Sequence, residues 1–487
     1  MSADKPVSFL PNELWDFFTF STGHSLIVRG EAGTGKTTFA LQLMGDMSDR
    51  TNGFYLSTRV SDVLILTQFP WLAERVFGAD IAKWMKEQVD LSQDELLSQL
   101  GMGEEGGLPL DEGLKRLKGE GAKEADLKMI MNVYEKIRAA KPNKSMIVID
   151  SLDALAERYG LRKEVLFSAL QKDLVEGYGA NVVFVMENNE TALDYLGDGV
   201  IVLSNRESDY RVIREMKILK LRGCRIKTFK GTFTLDKGMM KVFSPLVPLP
   251  PAPFKPLEGK DGSISTGIED LDVLIGGGIP KGRLVLFDIG ERVTYDVLRQ
   301  IEAGIVSSMA LTGKGVIWMP TRKIGRTDGM SAYLAMTTHV RSERHIRIAE
   351  EISSSRGPAL GDIFPLEGIN VASDLSWKKI SYDIGEGTGG ICVMGLDALE
   401  STYGPSVIDG MHEMLNALRA NDGVFIAIAP FKTKSLERFR ELCSVHIKID
   451  KFGDDTILWG EAPFTSYQAV EAKQVPKGIP LTLTPIF

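Results

Sequence analysis

Residues Gly30-Glu31-Ala32-Gly33-Thr34-Gly35-Lys36-Thr37, followed by Thr38, have the G-x-x-x-x-G-K-T form of a loop that cradles phosphate. Its glycines let successive backbone N–H groups converge on phosphate oxygens without side-chain obstruction. The Lys36 ammonium is suited to neutralise β- and γ-phosphates, and the Thr37 hydroxyl to ligate Mg²⁺. A helix starting near Lys36 turns its positive dipole end toward the same anion. A chance glycine-rich turn could share this composition. Here an apolar strand runs into the loop and an apolar-periodic helix leaves it, which is the context the motif requires. The chemistry implied is binding of a nucleoside triphosphate, ATP with Mg²⁺.

A second candidate closes the apolar run Ser145-Met146-Ile147-Val148-Ile149, where Asp150 precedes Ser151. A carboxylate at the tip of a buried strand beside a phosphate loop serves as a Mg²⁺ partner, directly or through water. A lone acid there can also be a plain helix cap; the intact phosphate loop favours the metal role. A third element, residues 206–230, carries nine Lys or Arg against three acids. Period-two alternation around Gly223 predicts two strands of a hairpin at the sheet edge. Such cations can solvate and protect an edge, contact a phosphate in another subunit, or dock a nucleic acid or acidic partner.

These groups need a scaffold, and the pattern supplies one. Before residue 244, apolar runs at 25–29, 53–57, 145–149, 182–186 and 200–203 alternate with helical segments such as 37–47 and 163–174. That alternation predicts an α/β domain with a largely parallel sheet. Residues 92–124 are rich in Gly, Glu and Lys with little periodicity, and read as an insertion. Residues 244–257 are proline-rich and read as a linker. The domains expected are therefore 1–243 and 258–487. The second half repeats the first: Leu152-Asp153-Ala154-Leu155 with Tyr159-Gly160 returns as Leu396-Asp397-Ala398-Leu399 with Tyr403-Gly404, and Thr58-Arg59 as Thr321-Arg322 after the apolar run 316–319. Ordered matches in similar strand–helix contexts indicate tandem duplication.

Bulk properties agree. A chain of 487 residues exceeds one ordinary core. Its net charge of −8 argues against a surface that binds nucleic acid throughout. Cys224, Cys392 and Cys443 are scattered with no metal-ligand or disulfide spacing, as expected of a protein of the reducing cytosol. The first residues carry no signal-peptide pattern and no apolar run is long enough to span a bilayer, so a cytoplasmic protein with no membrane partner is expected.

The first half resembles the KaiC-like and RadA-like branch of the RecA ATPase superfamily. The resemblance is carried by the phosphate loop, the strand ending Ile149-Asp150-Ser151, the segment Tyr195-Leu196-Gly197-Asp198-Gly199-Val200-Ile201, and Lys220-Leu221-Arg222-Gly223. It implies a trans phosphate contact through Lys220 and Arg222, and hence a homo-oligomer. Glu187 lies where related ATPases keep a polar γ-phosphate sensor. The second half opens Ser265-Thr266-Gly267-Ile268 and reaches Gly276-Gly277-Gly278-Ile279-Pro280, similar to the segment that precedes the phosphate loop in KaiC-like domains. The fold implied is two tandem RecA-like domains with mostly parallel central sheets. The layout, with Gly23-His24-Ser25-Leu26-Ile27-Val28 running into the loop, is similar to the archaeal gas-vesicle regulatory protein D family, which implies a regulatory protein partner.

Departures from that pattern redirect the mechanism. KaiC-like hydrolases carry a Glu pair after the strand that follows the phosphate-loop helix; here Thr58 and Arg59 stand there, and no acid occurs before Asp62. Neither side chain accepts a proton at neutral pH, so slow turnover is expected, with Glu187 the remaining candidate base. In the second half the loop position reads Asp288-Ile289-Gly290-Glu291-Arg292-Val293-Thr294-Tyr295, Met394 replaces Asp150, and Lys220-Leu221-Arg222 has no good equivalent. Asp288 and Glu291 are expected to repel phosphate, which makes this half a degenerate pseudo-ATPase domain. The reading is an ATP-binding regulatory switch; the alternative is a DNA-associated RadA-like recombination mediator.

Overall fold

The computed structural model describes residues 9–20, 22–57, 69, 71, 112–119, 127–337, 346–351, 363–384 and 390–487. Thr58, Arg59, Asp62 and most of the 92–124 insertion lie outside the described residues. The chain divides into two compact units, Met1–Phe243 with Phe487, and Ser244–Ile486.

The first unit is built on β1 (Ser25–Arg29), β2 (Thr51–Ser57), β3 (Lys144–Asp150), β4 (Asn181–Val185), β5 (Gly199–Ser208), β6 (Arg211–Leu221), β7 (Lys230–Thr234) and β8 (Lys241–Val242). They lie in the order β2-β3-β4-β1-β5-β6-β7-β8. Strands β2 to β5 of that row run parallel, and β6, β7 and β8 continue it antiparallel. Strands covered on both faces read as continuous apolar runs, and alternate residues serve opposite faces. Ile27, Ile147, Ile149, Val182 and Phe184 join the core under helices Lys128–Ala140, Leu152–Tyr159 and Lys163–Leu170. Leu26, Val28, Met146, Val148, Val183 and Val185 face the other way, against helices α1 (Asn12–Phe18) and α2 (Lys36–Asp46).

The basic segment forms the expected antiparallel pair around Gly223, β6 with β7, and adds a further reversal before it. Its first reversal is at Asp209-Tyr210, where both residues have positive φ and join β5 to β6 in a two-residue turn. The connection containing Gly223 is a longer one between β6 and β7, and β8 lies beyond them.

The second unit repeats this topology. Its strands are β9 (Leu284–Ile289), β10 (Val316–Met319), β11 (Ile346–Glu351), β12 (Ile363–Leu366), β13 (Ile391–Gly395), β14 (Val424–Pro430), β15 (Val445–Phe452), β16 (Asp455–Ala462), β17 (Gln468–Ala472) and β18 (Leu481–Pro485). The order is β12-β11-β10-β13-β14-β9-β15-β16-β17-β18. Within it, β10-β13-β14-β9-β15-β16 matches β2-β3-β4-β1-β5-β6 in sequence order and direction. Two added parallel strands, β11 and β12, extend the row past β10. The fold is thus two tandem RecA-like α/β domains.

One buried carboxyl ties the second unit together. Glu302, on helix Tyr295–Leu311, is fully buried and accepts from the Trp318 indole N–H at 3.0 Å, the Thr321 backbone N–H at 2.9 Å and the Thr321 hydroxyl at 2.7 Å. Burial raises its pKa from an ordinary 4.5 to about 7, although these three donors oppose the shift. A carboxyl whose pKa is raised on folding stabilises the fold fully below its unfolded value, and that contribution is lost as pH rises through the folded value. Replacing Glu302→Gln should therefore remove a pH-dependent loss on the order of 3 kcal/mol, leaving the second unit's denaturant midpoint flatter from about pH 4.5 to about pH 7. An unchanged pH profile would count against a titrating Glu302.

Candidate functional site

The sheet order fixes where side chains can meet. β4 lies between β1 and β3, so the carboxyl ends of all three open onto one crevice, the usual place for ligands in such sheets. The phosphate loop leaves β1, Glu187 follows β4, and Asp150 ends β3. Gly30 leaves the sheet where a Cβ would collide with the Leu203 carbonyl oxygen on β5. Gly33 and Gly35 have φ of 74° and 93°, a region that favours glycine. Glu31, Ala32 and Gly33 are exposed at the tip, whereas Thr34 is buried and donates to the Glu31 carbonyl at 2.8 Å.

The expected ligating groups are brought together. Lys36 Nζ folds over the loop and donates to the carbonyls of Gly30 and Glu31, each at 2.7 Å. Thr37 Oγ1 donates to Asp150 Oδ2 at 2.6 Å. Thr38 follows on the same first turn of α2. The pair Thr37 and Asp150 offers one hydroxyl and one carboxylate, an oxygen-only donor set that suits Mg²⁺ sharing its remaining places with phosphate and water. Among the described residues no cluster of three or more His, Cys, Asp or Glu could hold a metal by protein ligands alone. Glu187 reaches the same area: its Oε1 accepts from Ser151 Oγ at 2.5 Å, and its N–H donates to Asp153 at 2.7 Å. Ser151 also caps helix Leu152–Tyr159, so the cap role considered for Asp150 falls to its neighbour.

Lys220 and Arg222 are placed differently. Within their own unit they hold the turn at 194–198: Lys220 Nζ donates to the Gly197 carbonyl at 2.5 Å, and Arg222 pairs with Asp198 at 2.7 Å. Other contributors gave little warning in the sequence. Tyr55 donates its hydroxyl to Asp150 Oδ2 at 2.9 Å, yet in an alternating strand it reads as an ordinary core aromatic. Arg214 on β6 donates to the Gly33 carbonyl at 2.9 Å, and only its place in the basic segment hinted at that.

At the equivalent place in the second unit, the space a Gly290 Cβ would need is also filled, by a different group. A Cβ there would collide with the Asp450 carboxylate from β15. Gly290 N–H donates to the Ile449 carbonyl at 2.7 Å, and Arg292 donates to the Lys451 carbonyl. Asp288, expected to repel phosphate, is instead neutralised: Arg440 lies 2.8 Å away and His446 3.5 Å away. Despite the opposing effect of burial, those partners hold the Asp288 carboxyl below the usual range. The acid packed against Gly290 is Asp450, which sequence spacing did not single out.

A phosphate loop after the central strand, with a carboxylate two strands away, defines a P-loop protein of the RecA type. Comparison with known proteins sharpens this. Residues 14–220 match the family model described as the GvpD gas vesicle protein, P-loop domain. Protein GvpD2 of Halobacterium salinarum is 24% identical over 98% of this chain and 96% of its own length. Protein GvpD1 of the same organism is 26% identical over 65% of this chain and 57% of its own length. The circadian clock oscillator protein KaiC of Synechococcus elongatus is 24% identical over 54% of this chain and 48% of its own length. The chain is a KaiC-like protein of the RecA superfamily, GvpD-like in its phosphate-loop domain. Among the described residues no helix is long and apolar enough to cross a membrane.

The glycine geometry can be tested by rank order. Gly30→Ala should destabilise the first unit by about 2 kcal/mol or more, because relief requires moving backbone. Gly33→Ala has open space around the added methyl and should cost only the left-handed penalty of about 1 kcal/mol. Urea midpoints measured on both variants give the order; the reverse order would contradict the packing described for Gly30.

Proposed function

We propose that this protein is an ATP-binding regulatory switch whose first domain carries the nucleotide and whose second serves packing or partner binding. The observation that carries the reading is the contrast between the two crevices. In the first, Lys36, Thr37 and Asp150 surround an open glycine loop. In the second, residues 288–295 lack the Gly-Lys-Thr ending, and the Asp450 carboxylate packs against Gly290.

In this reading the loop from Gly30 to Thr38 cradles the triphosphate, and Lys36 neutralises its outer phosphates. Thr37 and Asp150 hold Mg²⁺, whose charge would offset that of the β- and γ-oxygens. Glu187, linked to Asp150's neighbour Ser151, is the candidate general base, while Thr58 and Arg59 offer none. Turnover is accordingly slow, which suits a timed switch better than a motor. Lys220 and Arg222 act on a phosphate in an adjoining subunit of a homo-oligomer. A protein partner in the cytoplasm then reads the nucleotide state. Similarity to the GvpD proteins and to a circadian clock oscillator protein supports a regulatory role over a metabolic one.

Equilibrium titration with a fluorescent ATP analogue and Mg²⁺ tests the site. Lys36→Ala should weaken binding on the order of a hundredfold, the scale of a lost charge-assisted contact; equal affinity would reject the assignment. Steady-state phosphate release should stay below about 1 s⁻¹, the lower range of ordinary enzymes. Faster release would replace the switch with an efficient ATPase.

A further inference from the structure

The turn at residues 194–198, between β4 and β5, collects ionic contacts that the nucleotide site itself does not use. Arg29 is the last residue of β1 and is bonded directly to Gly30, and its guanidinium is held by residues 189 and 194. It is nearly buried, at 7% exposure, and its Nε and Nη2 donate to the two carboxylate oxygens of Asp194 at 3.2 and 3.0 Å. Its Nη1 donates to the Asn189 carbonyl at 3.1 Å. This is a bidentate fork, the geometry that fixes a guanidinium and a carboxylate most firmly to each other.

The same turn is gripped from β6. Lys220 Nζ faces three of its main-chain carbonyls: Gly197 at 2.5 Å, Asp194 at 3.4 Å and Tyr195 at 3.5 Å. Among the described residues these partners are carbonyl oxygens, with no carboxylate paired to the ammonium. Arg222 pairs with Asp198 Oδ1 at 2.7 Å, while Asp198 Oδ2 accepts from the Ser25 N–H at 3.1 Å and its hydroxyl at 3.0 Å. Asp194 therefore touches the phosphate-loop strand through its carboxylate and Lys220 through its carbonyl.

We propose that Asp194 is a positioning residue that couples occupancy of the phosphate loop to the placement of Lys220 and Arg222. The inference rests on the nucleotide-binding reading of that loop. The physical argument is one of stiffness. Arg29 cannot leave Asp194 without stranding a buried charge, so a shift at the end of β1 moves the 194–198 turn with it. The carbonyls that face Lys220 move too, and their hold on the ammonium changes. The coupling is reciprocal: an anion that draws Lys220 and Arg222 away removes partners from the turn and alters the strand end that carries Gly30. The loop and the β6 cations then report on each other without sharing a ligand.

Hydrogen exchange on the full chain tests this, with and without saturating Mg²⁺ and a non-hydrolysable ATP analogue. In the wild type, nucleotide should alter exchange in residues 30–38, in 189–198 and in 219–223. In Asp194→Asn the response of 30–38 should persist, while that of 219–223 should fall at least about threefold, the scale of coupling between residues in contact. If the single variant does not fold, the charge-free pair Arg29→Met with Asp194→Leu serves instead, since replacing both partners of a buried pair is tolerated better than removing one. A 219–223 response that survives with a responding loop overturns the coupling and leaves the nucleotide site standing. No response of residues 30–38 in the wild type overturns the nucleotide reading, and the coupling with it.

Discussion

Gly30 is the point at which the main chain must leave β1 without a side chain, because the Leu203 carbonyl on the adjacent strand occupies the space a Cβ would need. Everything at the site follows from that close approach. It lets β1 remain paired with β5 up to Arg29 and with β4 up to Val28. It brings the loop's N–H groups, the first turn of α2 and the ends of β3 and β4 into one crevice. Thr37 can then reach Asp150 across the position of β4 at 2.6 Å, and Glu187 enters from the strand between them. The parallel sheet is the means by which residues separated by more than a hundred positions become neighbours.

The second domain keeps the same frame with different contents. Strand order and direction are retained from β10 through β16, and Gly290 is still a glycine with no room for a Cβ. What occupies that room has changed from a backbone carbonyl to the Asp450 carboxylate. An acidic side chain, in place of a main-chain oxygen, thus lies against the glycine that follows β9. The surrounding ionic groups, Arg440 and His446 on Asp288 and Arg292 on the Lys451 carbonyl, make the filled site a packed part of the domain. Topology can be retained while contents are replaced, because the core and the crevice depend on different residues.

Much of this was legible in the sequence, for reasons that are physical. Residues 25–29 and 316–319 stand out as apolar runs and form strands with those same limits, because strands buried on both faces must be apolar throughout. The loop was legible because backbone geometry restricts it to glycines at fixed spacing. Contacts that depend on tertiary approach were not. Asp450 and Tyr55 sit in strands whose local pattern gives no reason to single them out, and Arg29 hides at the end of an apolar run. The Asp209-Tyr210 turn was missed because its residues adopt positive φ without the Asn-Gly or Asp-Gly signature of such turns. Strands β11 and β12 have no equivalents among the described strands of the first sheet, so the internal repeat could not announce them.

The basic strand β6 shows why charge counts in a sequence understate what folding does with charge. Residues 206–230 carry six more cations than acids, nine minus three, which suggests a surface ready to hold a polyanion. In the fold Glu215 is nearly buried and pairs with Lys230 at 2.7 Å and Arg206 at 3.6 Å. Arg222 is tied to Asp198, Lys220 to three carbonyls, and Arg214 to the phosphate loop. Polyelectrolyte binding draws its free energy from counterions that free cations release, and cations already engaged by protein groups contribute less to it. These contacts instead draw β6 toward the elements around the nucleotide crevice. The strand is organised to hold the protein's own oxygens.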